Sequence, residues 1–202
     1  MAPGRSTLHP LRDARFLVSA VDARQLGTCH AEVALVGRSN VGKSSLLNAL
    51  TGQAHLARIS RTPGRTRLIN VFTAGQDRWI VDLPGYGYAA GPRAESDAWR
   101  AMVEGYLLGR PTLRAVFVLI DAEVGPTRLD LQMIDWLRHV RMPLRVAATK
   151  ADQVKPGRQA ARRREVAAAL GLGPDAVAWI SSRKGSGLPE LRNELAALLE
   201  LR

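Results

Sequence analysis

The stretch Ala31-Glu-Val-Ala-Leu-Val-Gly-Arg-Ser-Asn-Val-Gly-Lys-Ser-Ser-Leu-Leu-Asn48 decides how the rest of the chain is read. Residues 31–36 read as a strand around the apolar run 33–36, and residues 44–50 have the pattern of a helix. Between them, Gly37-Arg38-Ser39-Asn40-Val41-Gly42-Lys43-Ser44 matches G-x-x-x-x-G-K-[ST] in the strand–loop–helix context that this motif requires. Gly37 and Gly42 let the backbone curl so that successive N–H groups face a phosphate. The helix N-terminus adds its partial positive charge. Lys43 is placed to reach the β- and γ-phosphates, and the Ser44 hydroxyl to ligate Mg²⁺. This loop implies a nucleoside triphosphate and leaves the base open.

Outward from the loop, apolar runs recur at residues 68–72, 79–81, 115–120, 144–148 and 176–180, the first of them the weakest. Helical stripes lie between them: Trp99, Met102, Val103, Tyr106 and Leu107; Met133, Ile134, Leu137 and Val140; Leu188, Leu191, Leu195, Leu198 and Leu199. A further helix is expected over residues 157–170, ended by Gly171 and Gly173. This alternation predicts an α/β fold with a six-stranded, mostly parallel sheet and helices on both faces. Ligands in such sheets sit at the carboxyl ends of the strands, so the residues just after each strand matter most.

Three more strand ends carry nucleotide chemistry. Asp82-Leu83-Pro84-Gly85 supplies an aspartate that would hold Mg²⁺ through water. Gly85 has an N–H free to approach the γ-phosphate, and a loop fastened only by that phosphate becomes a switch. Thr149-Lys150-Ala151-Asp152 supplies a carboxylate for guanine N1–H and the 2-amino group, two donors that adenine lacks. Lys150 can lay its alkyl stem along the base. Ile180-Ser181-Ser182 offers a backbone N–H, at Ser182, for guanine O6. These motifs in this order point to GTP rather than ATP.

The charge is consistent with polyanionic partners. The 202 residues carry 29 Lys+Arg against 18 Asp+Glu, a formal net charge of +11. Only four of the basic residues are Lys, and Lys43, Lys150 and Lys184 all lie in the motifs above. Residues 33–76 hold Arg38, Lys43, Arg58, Arg61, Arg65 and Arg67 with no acid; residues 153–164 hold Lys155, Arg158, Arg162, Arg163 and Arg164, again with none. The first stretch is read as partly facing GTP and partly a nucleotide-gated RNA surface, the second as a fixed RNA contact.

With 46% hydrophobic and 23% charged residues, the chain reads as globular rather than disordered. One cysteine, Cys29, excludes an intramolecular disulfide framework. The longest apolar run, residues 115–120, is too short to cross a bilayer, and no signal-like segment is evident; a cytoplasmic protein without stable membrane association is expected. His9, His30, His55 and His139 lack metal-ligand spacing. Trp79, Trp99, Trp136 and Trp179 are read as packing residues.

At this level the sequence resembles the TRAFAC-class GTPases and, within them, the EngB (YihA/YsxC) family. The resemblance rests on Phe16-Leu-Val-Ser-Ala20, the stretch quoted first, Arg61-Thr-Pro-Gly-Arg-Thr-Arg-Leu-Ile-Asn70, Val81-Asp-Leu-Pro-Gly-Tyr-Gly-Tyr-Ala89, Thr149-Lys-Ala-Asp152 and Ser181-Ser-Arg-Lys-Gly185. It implies a Ras-like G domain over residues 31–202, with residues 1–30 as an N-terminal extension packing on it. It implies GTP and GDP binding, slow hydrolysis, Mg²⁺, a role as a switch in large ribosomal subunit assembly, and a link to cell division and septation. The partners implied are the large subunit or its precursor, rRNA and ribosomal proteins together, met by a monomer.

By the same resemblance Gly64, Arg65, Thr66, Arg67 and Leu68 join the nucleotide-binding set, and Thr66 is the threonine that reaches Mg²⁺ beside Ser44 and Asp82, with Thr62 as its nearby competitor. The expected catalytic set is Lys43, Thr66, Gly85 and Asn40. Tyr86 stands where many GTPases place a water-orienting Gln, so intrinsic hydrolysis is expected to be slow. Either the ribosomal partner or K⁺, held with the help of Asn40, would then complete the site. Two other classes compete: a metabolic P-loop enzyme, for which no acceptor-substrate motif is found, and a membrane-surface GTPase, for which no lipidation signal is found.

Overall fold

A computed structural model of the chain describes residues 9–57, 68–87 and 93–201. Seven strands, β1 (Arg15–Ala20), β2 (Ala31–Gly37), β3 (Ile69–Thr73), β4 (Arg78–Asp82), β5 (Leu113–Asp121), β6 (Leu144–Thr149) and β7 (Val177–Trp179), form one sheet in the order β1-β3-β4-β2-β5-β6-β7. β4, β2, β5, β6 and β7 run parallel, while β1 and β3 are antiparallel to their neighbours.

Alternation along the buried strands builds two cores. Val33 and Leu35 of β2, with Phe117 and Leu119 of β5, face α1 (Lys43–Thr51) and α5 (Leu188–Leu198). Ala34, Val36, Val116, Val118 and Ile120 face the opposite way, toward α2 (Arg93–Gly109), α3 (Arg128–His139) and α4 (Gln159–Ala169). β2 is buried along its whole length because both of its faces are covered. Arg192 of α5 donates to the carbonyls of Leu50 (2.8 Å) and Ala49, two of the groups that the last turn of α1 leaves without helical partners.

The sheet thus has seven strands rather than the six expected. The additional strand is β1, which lies at an edge with five of its six residues exposed. Phe16, Leu17 and Val18 are consecutive exposed apolar residues, so the strand lacks the alternation that reveals a half-buried one. Phe16 meets Phe72 of β3 edge-on at 5.7 Å.

The amino ends of the parallel strands are closed by a carboxylate cluster. Glu32 of β2 is fully buried and accepts from the Tyr106 hydroxyl (2.6 Å), Arg110 Nε (2.7 Å) and the Thr112 hydroxyl (2.7 Å). Arg110 also donates to Gly27 O and lies over the Trp79 ring at 5.1 Å. The chain leaves β2 for β3 and β4 on one side and returns through β5 on the other. The carboxyl end of β2 is therefore the switch point of the sheet, and it carries the glycine-rich loop.

Candidate nucleotide site

The loop from Gly37 to Ser44 is shaped by three positions. Gly42 has φ +105° and Asn40 φ +63°, the left-handed region that glycine enters freely and asparagine tolerates. A Cβ on Gly37 would stand 2.8 Å from Leu119 O, so the backbone can pass there only as glycine. The chain then enters α1 with Lys43 as its first residue, and Leu46 N–H already donates to Gly42 O at 2.8 Å. The Lys43 side chain is nearly buried, with Nζ 4.0 Å from Asp82 Oδ1.

Asp82 ends β4 beside Leu35 of β2, which brings it to the loop. Its Oδ1 is buried and accepts no hydrogen bond. Burial pushes its carboxyl above the usual range, and Lys43 only partly offsets this. Among buried side-chain oxygens of the described residues this one lacks a partner, as a carboxylate poised for a ligand would.

The segment after Asp82 lies down on the loop. Leu83 N–H donates to Leu35 O (3.0 Å), Tyr86 N–H to Gly37 O (3.2 Å), and Ser39 N–H to Tyr86 O (2.9 Å). A Cβ on Gly85 would stand 2.9 Å from Ser39 N and 3.1 Å from Lys43 Nζ. The Tyr86 hydroxyl, buried, donates to Asp130 Oδ1 of α3 at 2.8 Å, and its ring meets Trp99 edge-on at 5.9 Å. Burial and the facing Asp130 carboxylate push the Tyr86 hydroxyl far above its ordinary range. Trp99 Nε1 donates to Pro84 O at 2.9 Å. This corrects the expectation of a loop fastened only by phosphate, because side chains of α2 and α3 fasten it as well.

The base-reading loops are cross-tied to the phosphate loop. The Thr149 hydroxyl lies 2.6 Å from Val41 O and 3.0 Å from Ile120 O, so its single proton is shared between the phosphate loop and β5. Asp152 Oδ1 accepts from the Ser181 hydroxyl (2.6 Å), whose oxygen accepts from Lys184 N–H (3.0 Å). Ala151 N–H donates to Ile180 O (3.0 Å), which joins the two loops by backbone; Ser182 follows, half-buried. Lys150, at φ +57°, places Nζ 2.8 Å from Asp121 Oδ2. Burial would raise the Asp121 carboxyl, but Lys150 and the N–H groups of Val124 and Glu123 hold it below the usual range.

Residues 153–164 do not form one free basic face. Arg162 donates to Ala122 O (3.0 Å), Glu123 O (2.6 Å) and Glu165 (3.0 Å), stapling the loop after β5. Arg163 lies over the Trp179 ring at 5.2 Å, and Arg158 pairs with Glu165 at 3.5 Å. Lys155 and Arg164 are exposed. The fixed-RNA reading therefore loses Arg162, whose charge is taken up in holding the protein together.

Gly64, Arg65, Thr66 and Arg67, with Arg58, Arg61 and Thr62, lie outside the described residues, while Leu68 is half-buried just before β3. The structure otherwise brings the loop of residues 37–44 together with Asp82, Gly85 and Thr149 through the contacts above, and joins Asp152 to Ser181. Asp121, Asp130 and Trp99 were missed by sequence reasoning. Asp121 does end an apolar strand, a position that deserved the same scrutiny as Asp82; Asp130 lies 44 residues from its partner and gave no local sign.

Comparison with known proteins agrees with this geometry. The profile of a family described as 50S ribosome-binding GTPase matches residues 32–150. A protein of Bradyrhizobium diazoefficiens called probable GTP-binding protein EngB is 47% identical over 197 residues, 95% of this chain and 91% of that one. A Clostridium perfringens protein of the same name is 41% identical over 183 residues, 90% and 93% of the two chains. Among solved structures, a probable GTP-binding protein engB shares the fold with TM-score 0.69 at 24% identity, covering 85% of this chain and all of that one. Era, solved with MgGDPNP and nucleotides 1506–1542 of 16S ribosomal RNA, superimposes with TM-score 0.64 at 26% identity, covering 86% and 58%. No helix among the described residues is long and apolar enough to cross a membrane.

Proposed function

The chain belongs to the EngB family of GTP-binding proteins and is a GTPase; from that premise we propose that it is a slow-hydrolysing switch that acts in assembling the large ribosomal subunit, with a link to normal cell division. It works in the cytoplasm as a monomer, and its partner is the large subunit or its precursor. The family description and the concentration of uncompensated charge in residues 33–76 support the ribosomal partner.

The observation that carries the slow-switch reading is the Tyr86 hydroxyl. It is directed to Asp130 and not to the phosphate loop, so the side chain after Gly85 does not orient an attacking water. Lys43 and the N–H groups of residues 40–44 bind and neutralise the phosphates. Asp152 accepts guanine N1–H and the 2-amino group, and Ser182 N–H meets O6. The Ser44 hydroxyl and the partnerless Asp82 carboxylate fit Mg²⁺, Asp82 through water and with Thr66 as a further ligand. When bound, Mg²⁺ neutralises charge on the phosphate oxygens. Asn40, exposed at the loop apex, is positioned for K⁺ against the same phosphates.

Co-sedimentation with large subunits and their precursors tests the switch: binding stronger with a GTP analogue than with GDP is expected, and nucleotide-independent binding overturns it. GTP turnover in K⁺ against Na⁺ tests the Asn40 role; equal rates, unchanged by Asn40→Ala, refute it.

A further inference from the structure

We propose that Asp130 and Trp99, both outside the nucleotide motifs, set the preference between GDP and GTP by pinning the segment of residues 83–87 onto the phosphate loop. The inference rests on the nucleotide reading of the site. Both flanks of Gly85 are held. Pro84 O accepts from Trp99 Nε1 at 2.9 Å, and the Tyr86 hydroxyl donates to Asp130 Oδ1 at 2.8 Å. Asp130 is itself immobile. It is 1% exposed, and its other oxygen accepts Thr127 N–H and the Thr127 hydroxyl, both at 2.7 Å, at the start of α3. The anchor is therefore part of a helix cap that the sheet and core already fix.

What the pins hold in place crowds Lys43 Nζ, where the nucleotide reading puts the γ-phosphate. Gly85 approaches Lys43 Nζ so closely that a Cβ would stand 3.1 Å away, and Ser39 N–H is taken by Tyr86 O. On the nucleotide reading, a γ-phosphate bound to the Lys43 ammonium enters the space that Gly85 borders here. A diphosphate does not extend there. Triphosphate binding therefore re-seats the segment and works against the two pins, whereas GDP leaves them intact. A ligand shifts such an equilibrium only by its differential affinity for the two arrangements, so the pins lower GTP affinity selectively. Asp130 and Trp99 are positioning residues: they act on the nucleotide through Tyr86 and Pro84.

The test is the ratio of affinities for a fluorescent GTP analogue and fluorescent GDP, measured on the full chain with Mg²⁺. Tyr86→Phe keeps the ring against Trp99 and removes only the bond to Asp130. The ratio is expected to rise about tenfold toward the GTP analogue, the effect of one hydrogen bond to a charged acceptor. Trp99→Phe removes the bond to Pro84 and is expected to raise it about threefold, a neutral acceptor being weaker. General damage to the fold would weaken both nucleotides together and leave the ratio unmoved. A ratio within twofold of wild type in both variants, or one that falls, overturns the proposal. Failure of the wild-type chain to bind either nucleotide would overturn the nucleotide reading beneath it instead.

Discussion

Two buried carboxylates stand at opposite ends of the parallel strands and are treated in opposite ways. Glu32, at the start of β2, accepts hydrogen bonds from Tyr106, Arg110 and Thr112. Asp82, at the end of β4, leaves Oδ1 without a partner, 4.0 Å from Lys43. A buried charge is tolerable when it is fully bonded and costly when it is not. The saturated carboxylate thus holds the fold, and the unsaturated one fits the ligand role proposed for it. Asp152 is intermediate: Oδ1 is bonded to Ser181, and the assigned role needs the rest of the carboxylate for the base.

The comparison can be broken most severely at the saturated end. Arg110→Ala strands Glu32 without its cation, and the unfolding free energy should fall by about 3–5 kcal/mol in urea titration. A loss below about 1 kcal/mol would mean that the cluster does not hold the fold. Next comes the intermediate case. Asp152→Asn should weaken GTP about 100-fold, because guanine donors then face an amide donor, and should improve XTP binding. Competition binding checks this, and an unchanged base preference refutes the role.

The same rule extends to cations. Arg162→Ala removes three donor contacts to residues 122, 123 and 165 and should cost about 1.5 kcal/mol in melting experiments. Arg164→Ala, at an exposed position, should stay within about 0.5 kcal/mol of wild type. Equal losses would show that Arg162 is no staple.

A small effect is also expected at Asp82, in contrast to Glu32. Asp82→Asn should leave stability within about 1 kcal/mol of wild type or raise it at neutral pH. Its folded-state carboxyl is raised above 3.8, so its charged form opposes folding. That opposition is complete above the raised value and vanishes below 3.8. Wild type should therefore gain on the variant as pH falls through that window. The opposite trend in pH-dependent melting would overturn this account of Asp82.

The parallel strands, the glycine-rich loop and the loops that follow β6 and β7 were legible because each depends on contiguous residues. Residues 37–44 carry their chemistry in their spacing, and β2 announces itself by the apolar run of residues 33–36. β1 was not legible as a strand, because an edge strand exposed on both faces has no alternation to read. Glu32 in an apolar strand said only that something must pair with it; Tyr106, Arg110 and Thr112 lie more than 70 residues away. Arg162 was grouped with an RNA contact for the opposite reason, since a run of arginines gives no sign of the carbonyls that Ala122 and Glu123 present to it.

The Thr149 hydroxyl has one proton and two carbonyls competing for it, Val41 O and Ile120 O. The end of β6, proposed to lie under the base, and the loop of residues 37–44, proposed to cradle the phosphates, are therefore a single part. Whatever steadies one steadies the other, much as a bidentate chelator binds better than its two halves mixed in solution. Guanosine and pyrophosphate offered together should fall well short of GDP, since neither fragment alone preorganises the loop for its counterpart.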